Sequence, residues 1–370
     1  MNISILSMQR VLNYGSVLQA YGLKKMLESL SKNNSVEFLD VVCKNENNST
    51  ESKTRTSKLK SIDKYLLKKI KFKKSERIIN DKIRKFQYDE LRMSPEYKYS
   101  TNSDYTVIGS DEVFNCDPKC AWGVSAQLFG KVEGCKNVIS YAASCGYTKF
   151  EDLNENEINT LKEAAMDLRN ISVRDENTHT FIEKLTGRNA FYNLDPVFIY
   201  DFKEEVKKAE KMSKFDSNYM IVYSYRNRIK DEEEIKAIKK FAKNNNLKIY
   251  CVQGLLPWCD EFKEWSPFEV LAGFKNAKYI ITDTFHGCVM ASKFNKKFAV
   301  IIRKSNKNKI TDLLNRLGLL NHRVENINDL DTILNQEDNY SEFNSIIENE
   351  KIKSYNYLKK SINEGVLNEG

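Results

Sequence analysis

Histidine, proline and the usual glycine signatures are scarce in this chain of 370 residues, which holds three histidines and five prolines. Its eight cysteines form no C-x-x-C pair, and the nearest spacings are Cys116/Cys120 and Cys251/Cys259. So few imidazoles leave zinc without a ligand set, so no metal site is expected. No G-x-G-x-x-G, G-x-x-x-x-G-K-[ST] or G-x-S-x-G occurs. That removes the usual dinucleotide loop, phosphate loop and nucleophile elbow. No apolar run of about 18 residues is present, so no membrane span is expected. The opening MNISILSMQR lacks a basic start followed by a long apolar stretch, so no signal peptide is indicated. Scattered thiols in such a chain suit a reducing cytoplasm, with most cysteines acting as small apolar residues. No helix-turn-helix, zinc-finger or RNP pattern points to nucleic acid as a partner.

What is present is a globular composition, 41% hydrophobic and 11% aromatic. The length exceeds one ordinary core and fits two domains. The net charge is +8, and residues 53–85, KTRTSKLKSIDKYLLKKIKFKKSERIINDKIRK, hold much of the lysine. Two readings of that stretch stand. One is a solvated helical insert. The other is contact with an anionic membrane or a phosphate-bearing lipid carrier.

Short apolar runs at 2–7, 35–42, 105–108, 137–141 and 171–173 predict strands. Apolar residues at helical spacing over 16–30 and 155–168 predict helices. A charged break at 201–217, linker or exposed helix, precedes a restart of the pattern. Strands are then predicted at 219–223, 247–252, 278–281 and 298–302, and helices at 231–244, 267–274, 286–294 and 309–317. This alternation predicts an α/β fold of parallel sheets covered on both faces. Two runs predict two doubly wound, Rossmann-like domains facing a cleft. The first is 1–205, with the basic helical insert at about 44–90, and the second is 206–335. The tail, 336–370, is expected to be a helix packing back on the body.

The polar clusters NYGS, GSDE, SYAAS, SVRDE and TDTFHG all fall at or after strand ends. Open α/β sheets bind ligands there, so the clusters can converge on one cleft. His286 lies where a strand gives way to a helix, with Thr284 or Asp283 available as N-cap. Such a helix start favours an anion nearby. The plainer role for His286 is donation to a backbone carbonyl. For Arg174 it is a surface pair with Asp175 or Glu176. In a cleft, Arg174 suits forked binding of carboxylate or phosphate. Ser110, Asp111 and Asn115 either position a ligand or cap a helix. The same choice holds for Asn13, Tyr14 and Gln19 at the first strand–helix turn, and for Tyr141 and Ser144. Cys288, two residues from His286, is not a nucleophile–base pair by that spacing.

Six stretches carry a resemblance: NYGSVLQAYGL (13–23), VIGSDEVFN (107–115), SYAASCG (140–146), ISVRDENT (171–178), DPVF (195–198) and ITDTFHG (281–287). In this order they resemble the blocks of the polysaccharide pyruvyl transferases, over roughly residues 1–320. The basic insert and the tail lie outside the resemblance. It implies a GT-B-like pair of domains, the first on the acceptor side and the second on the donor side. It implies phosphoenolpyruvate as donor and a sugar acceptor in a cell-surface polysaccharide or its lipid-linked precursor. The product is a cyclic pyruvate ketal on two hydroxyls, with phosphate released and no metal or organic cofactor. Arg174 and His286 match the family's functional arginine and histidine, the first as anion binder and the second as proton donor or shuttle. Thr284 and Phe285 belong to the same block as His286. A second cation is expected from Arg303, Lys304, Lys307 or Lys309, and Lys309-Ile310 resembles the family's basic residue before an isoleucine. Thr284 stands where serine is frequent. Phe114 stands where tryptophan is frequent, which loses an indole donor. Two rivals share the architecture: a nucleotide-sugar glycosyltransferase and a relative that binds without catalysis.

Overall fold

The computed structural model describes residues 1–43, 63–304, 306–337 and 340–363, with side chains for all of these but 63–71. The expectations for 53–62, and for the tail at 338–339 and past 363, therefore lie outside the described residues. In chain order the first half runs β1 (Asn2–Leu6), α1 (Tyr14–Ser29), β2 (Ser35–Leu39), α2 (Asp63–Asp89), β3 (Tyr105–Ile108) and β4 (Val138–Ser140). It continues with α3 (Glu155–Ala165), β5 (Leu168–Asn170), β6 (Ser172–Val173), α4 (Glu176–Thr186), β7 (Phe191–Tyr192) and α5 (Pro196–Ile199). The second half runs α6 (Lys203–Met212), β8 (Tyr219–Ser224), α7 (Glu232–Asn244), β9 (Lys248–Gln253), β10 (Glu261–Phe262), α8 (Pro267–Asn276) and β11 (Tyr279–Thr282). Then follow α9 (Phe285–Lys293), β12 (Lys297–Ile301), α10 (Lys307–Arg316), β13 (Arg323–Val324), α11 (Leu330–Asn335) and α12 (Tyr340–Asn363).

Two parallel sheets form, ordered β2-β1-β3-β4-β5 and β10-β9-β8-β11-β12-β13. Strands buried on both faces read as unbroken apolar runs. β8, YMIVYS, is buried at every position. Each sheet winds outward in two directions from its first strand, so each has a switch point. These lie between β1 and β3 and between β8 and β11. Ligands bind outside the strand C-termini at such points.

Local chemistry sets the helix boundaries. α1 starts at Tyr14 rather than Ser16, because the Asn13 side chain accepts from Gly15 N and caps the helix. The Asp175 side chain caps α4 from its first residue, and Gly187 closes that helix in the left-handed conformation. The charged stretch 201–217 contains α6. Only Val206 and Ala209 are buried there, too few to mark a stripe in the sequence. The predicted strand at 35–42 stops at Leu39, because Asp40 turns to pair with Arg10 at 2.6 Å. The predicted strand at 171–173 is shorter, and it pairs with β7 in a separate two-stranded sheet.

α2 lies against both halves. Ser75 Oγ donates to Glu264 at 2.5 Å, and Gln87 Nε2 donates to Gln9 O at 2.7 Å. Lys82 pairs with Glu269 at 3.3 Å. The largest apolar cluster joins Ile3, Val107 and Ile139 of the first sheet to Ile221, Ile280 and Phe298 of the second. α12 packs back on the body, and Tyr357 Oη donates to Ser140 O at 2.8 Å. Among the described residues, no helix is long and apolar enough to cross a membrane.

Candidate active site

The two switch points meet in a cleft of about 150 Å³. The first half contributes Ser16, Asp111, Glu112, Tyr147 and Arg174. The second contributes Tyr225, Arg228, Thr284, Phe285, His286, Asn306 and Lys309.

His286 sits in the first turn of α9, where Thr284 accepts from Gly287 N at 2.9 Å and caps the helix. The imidazole is 6% exposed. Its Nε2 lies 3.4 Å from Asp195 Oδ2 and makes no well-aligned hydrogen bond among the described residues. Its other face rests on α1. A β-carbon on Gly15 would come within 2.1 Å of Nδ1, so glycine is what lets the ring lie there. Among the described residues no backbone carbonyl accepts from the ring, and its nearest carboxylate is Asp195.

Arg174 is 3% exposed and lies at the end of β6. Nη1 reaches Asp195 Oδ2 at 3.1 Å and Nη2 reaches Asp111 Oδ1 at 3.4 Å. The guanidinium stacks 4.2 Å over the Phe285 ring. Burial opposes its charge, but Asp111, Asp195, Asp175 and Glu112 outweigh that and raise its pKa. Nε is buried without a hydrogen-bond partner among the described residues. A buried unpaired donor on a charged group is costly.

Asp195 joins the two residues. It is fully buried, and Ser110 Oγ donates to Oδ2 at 3.1 Å. Its Oδ1 caps α5 through Val197 N at 2.9 Å. Burial would raise its pKa, but His286 and Arg174 outweigh burial and hold it below the carboxylate range. Lys309, from α10, donates to Glu112 Oε1. Burial works against ionised Glu112, yet Lys309, Arg174 and Asn115 hold it down at about 2. Arg228 stacks on Tyr225 at 4.8 Å and donates to Asp283 O at 3.3 Å. Asp111 adopts φ +80°, a strained conformation for a non-glycine residue, while accepting from Ser16 Oγ at 2.7 Å.

Of the residues singled out from sequence, Asp111, Arg174, Thr284, Phe285, His286 and Lys309 line the cleft. The others do not line it. Asn13 Nδ2 donates to Tyr225 Oη at 2.8 Å, and Tyr14 Oη donates to Trp265 O at 2.6 Å. Gln19 Nε2 donates to Ser7 Oγ and Ser16 O, both at 2.9 Å. Asn115 Nδ2 donates to Glu112 at 2.9 Å, Tyr141 Oη to Leu194 O at 3.2 Å and Ser144 Oγ to Asp175 at 2.6 Å. Arg303 is held by Glu234 at 2.7 Å and Asp283 at 3.3 Å. Lys304 and Lys307 are exposed. Cys288 is buried, and burial pushes its thiol pKa up, away from thiolate chemistry. Sequence reasoning missed Glu112, Asp195, Tyr225, Arg228 and Asn306. The GSDE and DPVF blocks held two of them. Tyr225 and Arg228 follow the first strand of the second run, a position that the switch-point rule marks.

The fold is of the GT-B class. It resembles UDP-GlcNAc 2-epimerase from Methanocaldococcus jannaschii, solved with UDP-GlcNAc and UDP. That likeness has TM-score 0.51 and 15% identity, over 96% of this chain and all of that one. UDP-N-acetylglucosamine 2-epimerase from Rickettsia bellii gives 0.50 and 12%, over 99% of this chain and 98% of that one. The sequence model for polysaccharide pyruvyl transferase matches residues 13–305, and the chain belongs to that family. A search of proteins of curated function finds no match.

Proposed function

We propose that the protein transfers pyruvate from phosphoenolpyruvate to two hydroxyls of a sugar in a cell-surface polysaccharide or its lipid-linked precursor. It does so in the cytoplasm, forming a cyclic ketal and releasing phosphate, with neither metal nor organic cofactor. The observation that carries this reading is the buried, unpaired Nε of Arg174 beside His286, at the start of α9. Arg174 and Lys309 offer fixed cations to a small dianion. The space of about 150 Å³ is enough for a ligand as small as phosphoenolpyruvate.

The chemistry divides among these groups. A proton delivered through His286 adds to carbon 3 of the enol, leaving an oxocarbenium-like carbon 2. One sugar hydroxyl attacks carbon 2 and returns its proton to the now neutral imidazole. The second hydroxyl then displaces phosphate at the same carbon and closes the ring, its proton leaving with the phosphate. Asp195 holds negative charge beside the imidazolium that gives the first proton and is restored by the hydroxyl.

Calorimetry tests the donor without an identified acceptor. Wild type is expected to bind phosphoenolpyruvate, and Arg174→Lys to weaken binding at least about tenfold, because lysine cannot supply the Nε donor. Binding of uridine or guanosine diphosphate in place of phosphoenolpyruvate would select the glycosyltransferase reading. We also propose that 53–85 touches an anionic membrane. Flotation with phosphatidylglycerol vesicles should then fall as salt rises, and salt-independent or absent flotation rejects it.

A further inference from the structure

We propose that α2 and the turns after β8 and β9 form a pyranoside-binding compartment, separate from the anion cleft and opening onto it past Tyr225. This inference rests on the donor reading above and assigns the acceptor's place. The compartment is about 310 Å³, and Tyr225 is a wall common to it and the anion cleft. An acceptor hydroxyl must reach the donor's carbon, so its binding space has to adjoin the donor's.

The lining matches the two chemical faces of a sugar ring. Leu12, Ile79 and Leu255 are apolar and can cover ring C–H groups. Asn80 and Gln253 are amides; Gln253 Oε1 accepts from Tyr14 N at 3.4 Å, which leaves its Nε2 to donate, while Asn80 can donate and accept as hydroxyls do. The one arginine lining the space, Arg226, is paired with Glu76 at 3.5 Å.

The turn beneath is built under constraint. Gln253 at φ +76° and Leu255 at φ +50° are both left-handed without being glycine. Between them, a β-carbon on Gly254 would meet Ser224 O at 2.2 Å. This strain fixes Gln253 and Leu255 at the compartment's edge. The neighbouring space beyond Lys309, about 270 Å³, has no aliphatic or aromatic side chain in its lining. Its walls are carboxylates and amides with Thr180 and Lys309.

The test titrates methyl β-galactopyranoside, methyl β-glucopyranoside and methyl α-mannopyranoside, separately, into the full chain with phosphoenolpyruvate present. Asn80→Trp fills the compartment, and Gln253→Ala removes one amide without adding bulk. At least one glycoside is expected to bind wild type, at least about tenfold more weakly to Asn80→Trp and about three- to tenfold more weakly to Gln253→Ala. Phosphoenolpyruvate affinity should change less than about twofold in both. Equal glycoside binding in wild type and both variants overturns the compartment, as does binding of none of the three to wild type. Glycoside binding that the variants weaken, with no phosphoenolpyruvate binding in any protein, keeps the compartment and rejects the donor.

Discussion

One carboxylate, Asp195, faces both Arg174 and His286, although the three come from three different strand–helix junctions. The sequence marks Arg174 and His286, because a cation and an imidazole at strand ends have few other uses in an α/β sheet. Asp195 is harder to read. Asp before Pro196 announces a helix cap, which it is, and nothing local reports that its second oxygen serves the cleft. The same limit explains Asn13, Gln19, Tyr141 and Ser144. Strand-end loops need residues that line the site and residues that hold the loops, and both are polar. The Asp195 interactions have a pH signature. Its folded pKa lies below the ordinary value of about 3.9, so its stabilisation is complete above that value and is lost as pH falls below it. Asp195→Asn should therefore be less stable than wild type at pH 7, by about 3 kcal/mol or more, because Arg174 loses a buried partner. The gap should narrow below about pH 4. Urea unfolding of both proteins from pH 7 to 3 checks this, and a constant gap would contradict it.

At the scale of elements, the first turns of α1 and α9 meet, and their contact is a glycine against a histidine ring. Both helices were legible, α9 from its Thr284 cap and α1 from its apolar spacing. Their contact was not, because a glycine in a helix start looks like part of a turn. The two competing effects at Gly15 differ in size. Alanine is the better helix former by about 1 kcal/mol. Yet its methyl group would occupy the ring's place and drive His286 out of line. Displacing a buried ring costs about 1–3 kcal/mol, so Gly15→Ala should lower thermal stability or leave it unchanged while slowing phosphate release from phosphoenolpyruvate, with an accepted sugar, by about a hundredfold or more. Release within twofold of wild type would mean that the ring's position is not needed.

The two runs of strands and helices told of two sheets, and the sheets are there. What the sequence does not tell is that a shared apolar cluster spans them. Each helix at the junction is only locally amphipathic, and which sheet it covers is decided by distant partners. α12 shows the consequence. Phe343, Ile347, Tyr357, Leu358 and Ile362 are all buried in that cluster, and Tyr357 reaches Ser140 of β4, 217 residues away in sequence. At about 1.5–3 kcal/mol each, five such side chains contribute about as much as the 5–15 kcal/mol that separates a folded chain from its unfolded state. The full chain should therefore unfold in one calorimetric transition, with a ratio of calorimetric to van't Hoff enthalpy near one. A chain ending at residue 337 should fail to fold at all. Two separate transitions in the full chain, or a folded truncated chain, would show instead that each sheet carries its own stability and that the cleft is a hinge between independent bodies.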